Sequence, residues 1–286
     1  LTASPVTSST ISAPAGNRPD AAGTRLVISL LLVSAFVVIL NETIMGVALP
    51  QLMKDLDITA SAAQWLTTAF MLTMAVVIPI TGFLLQRFNT RPVFLAAMSL
   101  FSAGTLIAAI APGFEVLIVG RVVQASGTAI MMPLLMTTVM TLVAPAARGK
   151  TMGNISIVIS VAPAIGPTLS GLILSVLDWR WMFILVLPIA LGSLALGAAR
   201  IKNVSEPTKV PLDVVSVILS AFGFGGLVYG LSNLGESEAG LAADLVPLAI
   251  GVVAIGLFVW RQLALQRHDR ALLDLRTFVS RTFSFS

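Results

Sequence analysis

Apolar residues run along this chain in long unbroken blocks, and polar residues gather in the short gaps between them. About 20 apolar residues, rising ~1.5 Å each, cross the ~30 Å hydrocarbon core of a bilayer as a helix. Eight blocks meet that measure: Leu26–Leu49, Ala62–Leu85, Pro92–Ala111, Val116–Val139, Met152–Leu177, Trp181–Ala199, Val214–Leu234 and Leu241–Leu263. Backbone polar groups in lipid must be satisfied within the segment, which leaves helices or closed barrels. Barrel strands are about half this length and alternate in polarity. The pattern therefore predicts an all-α fold, a polytopic bundle of membrane helices.

Composition agrees with the pattern. The chain is 57% apolar and only 10% charged, where soluble domains carry about 25% charged residues. The net charge of +4 does not indicate nucleic acid, because the charges sit between the blocks. Lys and Arg favour alternate gaps. Arg87, Arg91, Arg148, Lys150, Arg200, Lys202, Lys209, Arg261 and Arg267 share a side with Arg18 and Arg25 of the amino-terminal tail. The opposite gaps hold Lys54 and Arg180 against several acids. The positive-inside rule then places the N-terminus in the cytoplasm. Residues 1–25 are rich in Ser, Thr, Ala and Pro and predict a disordered tail. The apolar run after Arg25 is too long for a signal peptide. Residues 264–286 return to the cytoplasm, and Arg281–Ser286 has the look of the entrance to a further span. The chain is accordingly expected to be the front part of a longer protein; a complete eight-span protein is the alternative.

Candidate chemistry is sparse. There is no cysteine, and the single His268 lies in a charged segment. No metal site and no cofactor are expected. H-E-x-x-H, P-loop and G-x-S-x-G patterns are missing from the sequence, which points away from an ATPase or hydrolase and to a protein that is not an enzyme.

Three intramembrane features stand out. Glu42, beside Asn41, is a carboxylate inside the first block. Such a group is costly in lipid unless paired, wet or protonated, and it marks a functional position by default. Its plainer reading is a solvated carboxylate near the outer interface. Arg121, Gln124 and Thr128 are spaced i, i+3, i+7 and share one face of the fourth helix. That face is expected to point into the bundle or a wet cavity, with Arg121 snorkelling outward as the alternative. Glu42 and Arg121 lie at similar depth and are expected to pair or to share a wet pocket. In Val161–Gly171, Pro163 and Pro167 should kink the fifth helix, while Ala162, Gly166 and Ser170 form a bare stripe for close helix approach. Gly226 and Gly230 read as a second close-packing pair, and Trp179 and Trp181 as an aromatic belt at the membrane interface.

Several segments resemble one family. Gly166–Gly171 (GPTLSG) is similar to the antiporter motif, roughly G-P-x-x-G-G, of drug:proton antiporters in the major facilitator superfamily, with Ser170 at the first glycine of the final pair. Leu40–Pro50 (LNETIMGVALP) resembles the first-helix signature of the fourteen-span branch, roughly L-D-x-T-[IV]-V-N-V-A-L-P, with Asn41 at the usual Asp position and the acid moved to Glu42. Gly82–Arg91 (GFLLQRFNTR) resembles the G-x-L-a-D-r-f-G-r-r loop, with Gln86 for the Asp and Asn89 for the second glycine. Asn tolerates a left-handed backbone, so the turn is expected to survive. Arg121–Thr128 resembles R-x-x-q-G-x-G, and Asp178–Pro188 resembles W-R-W-x-F-x-x-N-x-P.

The resemblance implies two six-helix bundles that expose a central cavity to either side in turn. Residues 26–200 would form the first bundle, 201–213 a cytoplasmic linker and 214–263 two inserted helices, with the second bundle outside this chain. It implies proton-coupled export of amphiphilic drugs or antibiotics. Glu42 and Arg121 would couple the proton, while Asn41, Gln124 and Thr128 would line the substrate cavity. Pro163, Gly166, Pro167 and Gly171 would shape the outer seal, and Gly82, Gln86, Arg87 and Arg91 the cytoplasmic gate loop. The partners are then small-molecule amphiphilic drugs, protons, the lipid bilayer and the missing C-terminal half, with no nucleic acid. The alternatives are a degenerate assembly or sensor protein that does not transport, and a narrow lincosamide-type exporter.

Overall fold

A computed structural model describes residues 21–201, 203, 213–232 and 241–266. The tail before residue 21, most of the 201–213 linker with Lys202 and Lys209, and the 267–286 segment with His268 lie outside the described residues. Among the described residues eight α-helices follow in order: α1 (Ala21–Asp55), α2 (Ala60–Arg87), α3 (Thr90–Ala109), α4 (Phe114–Leu142), α5 (Pro145–Val176), α6 (Arg180–Arg200), α7 (Val214–Ser232) and α8 (Leu241–Gln266). Each is long and apolar enough to cross a membrane, and no strand occurs among the described residues.

Every expected span coincides with a helix, and six of the eight helices run longer, α3 and α7 being the exceptions. Hydropathy marks only the part that meets lipid, whereas hydrogen bonding carries the helix into polar flanks. α5 shows this best. It begins at Pro145, where a proline costs no hydrogen bond, and it continues without a break through Pro163 and Pro167. Large apolar side chains are exposed along the helices, among them Leu106, Val119, Ile157, Leu172, Leu196, Phe222 and Trp260. That is the surface of a protein wrapped in lipid or in further apolar protein.

Sequence neighbours are not the main packing partners. α1 packs chiefly on α5 and α6, α4 on α3 and α2, and α3 also on α6. Exchanging α1, α2, α3 for α4, α5, α6 maps these pairs onto one another: α1–α5 becomes α4–α2, and α3–α4 becomes α6–α1. The first six helices are therefore two interleaved triplets of opposite direction. At the α3–α4 seam, a Cβ on Gly104 or Gly127 would strike the backbone of the facing helix, so both positions require glycine.

α7 and α8 pair with each other, and α7 lies on α2. Gly226 sits where a Cβ would stand 2.9 Å from the Gly251 Cα, and Gly230 where it would stand 2.9 Å from the Leu248 nitrogen. The expected small-residue contact is thus present, with Gly251 as its unforeseen counterpart. Trp65 and Tyr229 stack 5.7 Å apart across α2 and α7. At the other end of the hairpin, Arg261 clasps Asp213 through Nη2 and Nε, both at 2.8 Å. Ser216 donates to the same carboxylate, and the Gln262 amide donates to Ser216 at 2.6 Å. These bonds, from Arg261 first, hold the Asp213 carboxyl down at about 2, below its ordinary ~3.9. A depressed carboxyl contributes stability above the unfolded value and loses it as pH falls through the folded one. Asp213→Asn should therefore lower the unfolding free energy by about 1 kcal/mol at pH 7, a solvent-screened figure. The gap to wild type should close as pH falls from 4 towards 2. Equal thermal midpoints in detergent at pH 7 would sink this assignment.

Candidate functional site

Two apolar clusters occupy the two ends of the six-helix bundle. One contains Leu31, Val38, Phe94, Phe101, Leu134 and Val139. The other contains Leu40, Ile44, Leu52, Leu66, Ala108, Leu117 and Trp179. Between them lies a thin polar layer built from one position each on α1 and α3 and three on α4.

Arg121 is its centre, 1% exposed. Its Nη1 donates to Gln124 Oε1 at 2.7 Å and, at longer range, to Asn41 Oδ1 at 3.4 Å. The guanidinium carbon stands 4.0 Å from the centre of the Phe70 ring of α2, a cation–π contact. Gln124 Nε2 in turn donates to Thr105 Oγ1 on α3 at 2.8 Å. The Thr128 hydroxyl turns back onto the Gln124 carbonyl at 3.0 Å. The Arg121 Nε–H has no partner.

The spacing of Arg121, Gln124 and Thr128 thus predicted a shared inward face, and all three are buried; Arg121 does not snorkel. Two expectations need correction. Glu42 forms no ion pair with Arg121 within 4.0 Å: the guanidinium bonds to the neutral Asn41 and Gln124 instead. One residue turns a helix by about 100°, so Asn41 faces the arginine while Glu42 lies off to the side, half-buried. The two charges still sense each other electrostatically. Asn41, Gln124 and Thr128 also do not line an open cavity, because they are packed between the apolar clusters. A cavity of about 980 Å³ opens elsewhere, between the start of α1, the end of α4 and the start of α5, with Arg25, Arg148, Lys150 and Asn154 in its wall.

The bare stripe of α5 docks on α1 one residue beyond Glu42. Ala162, Gly166 and Ser170 are all buried. A Cβ on Gly166 would lie 2.9 Å from Thr43 Cβ and closer still to its hydroxyl. Ser170 Oγ donates to the Ile44 carbonyl at 3.1 Å, so the serine at the motif's glycine position adds an interhelical bond. Pro163 is half-buried, whereas Pro167 and Gly171 face outward.

The Gly82–Arg91 segment lies at the far end of α2. Gly82 has open space around it, and Gln86 and Arg87 are exposed. Arg91 donates to the Ala198 carbonyl at 2.8 Å, tying the loop to the end of α6. Asn89 is not left-handed: at φ −64° and ψ 157° it is an extended N-cap, because a short extended link suffices to join two antiparallel helices. The one non-glycine residue with positive φ among the described residues is Asp57, at 49°. Trp179 departs from the expected belt as well. It is fully buried beneath Arg180 and against Phe183, while Trp181 is exposed. Sequence reasoning missed Phe70 and Thr105, which carry no motif.

Two interleaved helix triplets of opposite direction, closed around a polar layer, are the plan of one half of a secondary transporter. Residues 31–280 match the model of the Major Facilitator Superfamily, and the chain belongs to that family. It is 45% identical over 261 residues to YcnB of Bacillus subtilis (strain 168), described as an uncharacterized MFS-type transporter, covering 91% of this chain and 55% of that protein. It is also 45% identical over 252 residues to the lincomycin resistance protein LmrB of Listeria monocytogenes serovar 1/2a (strain ATCC BAA-679 / EGD-e), covering 88% and 53%. The chain thus spans about half the length of these curated relatives. Among solved structures, the human organic anion transporter MFSD10 (TETRAN) shares the fold at a TM-score of 0.58 and 15% identity, with 75% of this chain and 57% of that one covered. The all-helical fold and the multi-pass membrane character follow.

Proposed function

We propose that the chain is the N-terminal part of a proton-coupled drug exporter in the cell membrane, with its N-terminus in the cytoplasm. In this reading α1–α6 form the first bundle, α7 and α8 are the inserted pair, and a second bundle outside this chain completes the cavity. The observation that carries it is the buried Arg121 layer with a half-buried carboxylate beside it, in a chain whose 45% relative is named for lincomycin resistance. Glu42 takes up and releases the proton. Asn41 and Gln124 hold Arg121 inside the bundle, and the α1–α5 seam at Gly166 closes the outer side. An inward proton supplies about 2.3 kcal/mol per 100 mV, to which a pH gradient adds.

Expression of the full-length protein in a drug-hypersensitive bacterium should raise the minimum inhibitory concentration of lincomycin at least fourfold, and a protonophore should restore intracellular accumulation of the drug. Unchanged susceptibility to both lincomycin and ethidium would overturn the export reading. Export that persists under protonophore would overturn its coupling.

A further inference from the structure

We infer that Thr105 of α3, helped by Phe70 of α2, is a positioning residue that holds Arg121 in place while the proton comes and goes on Glu42. This rests on the coupling role proposed above.

A threonine hydroxyl has one hydrogen and two lone pairs. Thr105 Oγ1 donates its hydrogen to the Phe101 carbonyl at 2.7 Å. Only lone pairs then remain for Gln124, so the amide must present Nε2 to Thr105, as it does at 2.8 Å. Its Oε1 is thereby turned towards Arg121 Nη1, at 2.7 Å. One hydroxyl thus selects between two amide orientations, of which the other would set an N–H against the guanidinium. Thr105 and Gln124 are 0% exposed, and Arg121 is 1% exposed. Lost bonds in such a place are not readily replaced by bulk water. The Phe70 ring, also 1% exposed, closes one side of the guanidinium.

Each group touching Arg121 is neutral and does not titrate between pH 5 and 8. Among the described residues, Glu42 on α1 is the only ionisable group besides Arg121 in the middle turns of the helices packed around the layer, and it lies to the side of Arg121 and acts on it through space. The other charges sit in the first or last two turns of their helices: Arg25, Lys54 and Asp55 on α1, Arg87 on α2, Arg91 on α3, Glu115 on α4, Arg148 and Lys150 on α5, and Arg180 and Arg200 on α6. Protonating Glu42 therefore removes a charge beside Arg121 without removing any group that holds it. Arg121 serves as a fixed positive reference and the proton resides on Glu42 alone. Without the hydroxyl or the ring, the guanidinium is free to swing onto the Glu42 carboxylate, which would then hold its proton less readily.

The test uses the full-length transporter in proteoliposomes, with proton release driven by lincomycin or ethidium, whichever the susceptibility assay shows to be exported, followed from pH 5.5 to 8.5. Thr105→Val keeps the side-chain shape and removes the hydroxyl. It should move the midpoint of the pH profile at least half a unit to lower pH and slow exchange at pH 7 about fivefold. Phe70→Leu should move the midpoint the same way, and Thr105→Ser should restore it. Wild-type midpoints in both Thr105→Val and Phe70→Leu would overturn the positioning role. Glu42→Gln separates this failure from failure of the coupling reading: continued proton release there overturns the coupling role itself, whereas silence there with unshifted Thr105→Val and Phe70→Leu profiles overturns the positioning role alone.

Discussion

Arg121→Ala should reduce the proposed drug efflux to background, the largest single effect expected in this chain. The substitution removes the donor that satisfies Gln124 Oε1 and Asn41 Oδ1 and leaves a void against Phe70. An unsatisfied buried acceptor costs about 1–3 kcal/mol, and here two lose their donor at once. Loss of a salt bridge is not part of this expectation, because no carboxylate lies on the guanidinium. Arg121→Lys should keep about a tenth of wild-type efflux: it retains the charge, but a single ammonium cannot face two acceptors and lie flat on a ring. Glu42→Gln should behave differently, keeping drug binding while drug-driven proton release in proteoliposomes disappears. Wild-type efflux by Arg121→Lys would show that charge alone matters. Wild-type proton release by Glu42→Gln would move the coupling group out of this chain.

Gly166→Leu should abolish export while the protein still reaches the membrane. Even a Cβ at this position stands within 3 Å of Thr43, and α1 can accommodate a larger group only by moving away, which breaks the Ser170–Ile44 bond as well. Overpacking of this kind costs about 1–3 kcal/mol, enough to hold the α1–α5 seam open without unfolding the bundle. Gly171→Leu is the internal control, because its side chain enters open space within this chain and should leave the thermal midpoint unchanged. Normal export by Gly166→Leu would reduce the motif to ordinary packing.

The helices were legible in the sequence because lipid imposes one rule on every span. The inward face of α4 was legible for a related reason: Arg121, Gln124 and Thr128 share one helix face, and lipid disfavours a face that polar. What could not be read was the choice of partner. Asn41 and Glu42 are adjacent, and which one meets Arg121 depends on the rotation of α1, which is set by Gly166 and Ser170 more than a hundred residues away. Thr105 and Phe70 look like ordinary residues of apolar spans; only the packing of α2 and α3 against α4 gives them a role. Trp179 resembles an interfacial tryptophan by position, yet at the N-cap of α6 its ring turns under the Arg180 side chain.

The interleaving of the two triplets bears on how the protein is made. α1 leaves the ribosome first, but Asn41 meets Arg121 only 80 residues later, and Ile44 meets Ser170 only 126 residues later. At translation rates of about 5–20 residues per second, the second wait lasts about 6–25 s. Throughout that time α1 stands in the membrane, or beside the insertion machinery, with a carboxylate and an amide that have no helix to face. The residues that define the mature site are thus a burden on the nascent chain, and α1 is the segment for which an insertion chaperone should matter most.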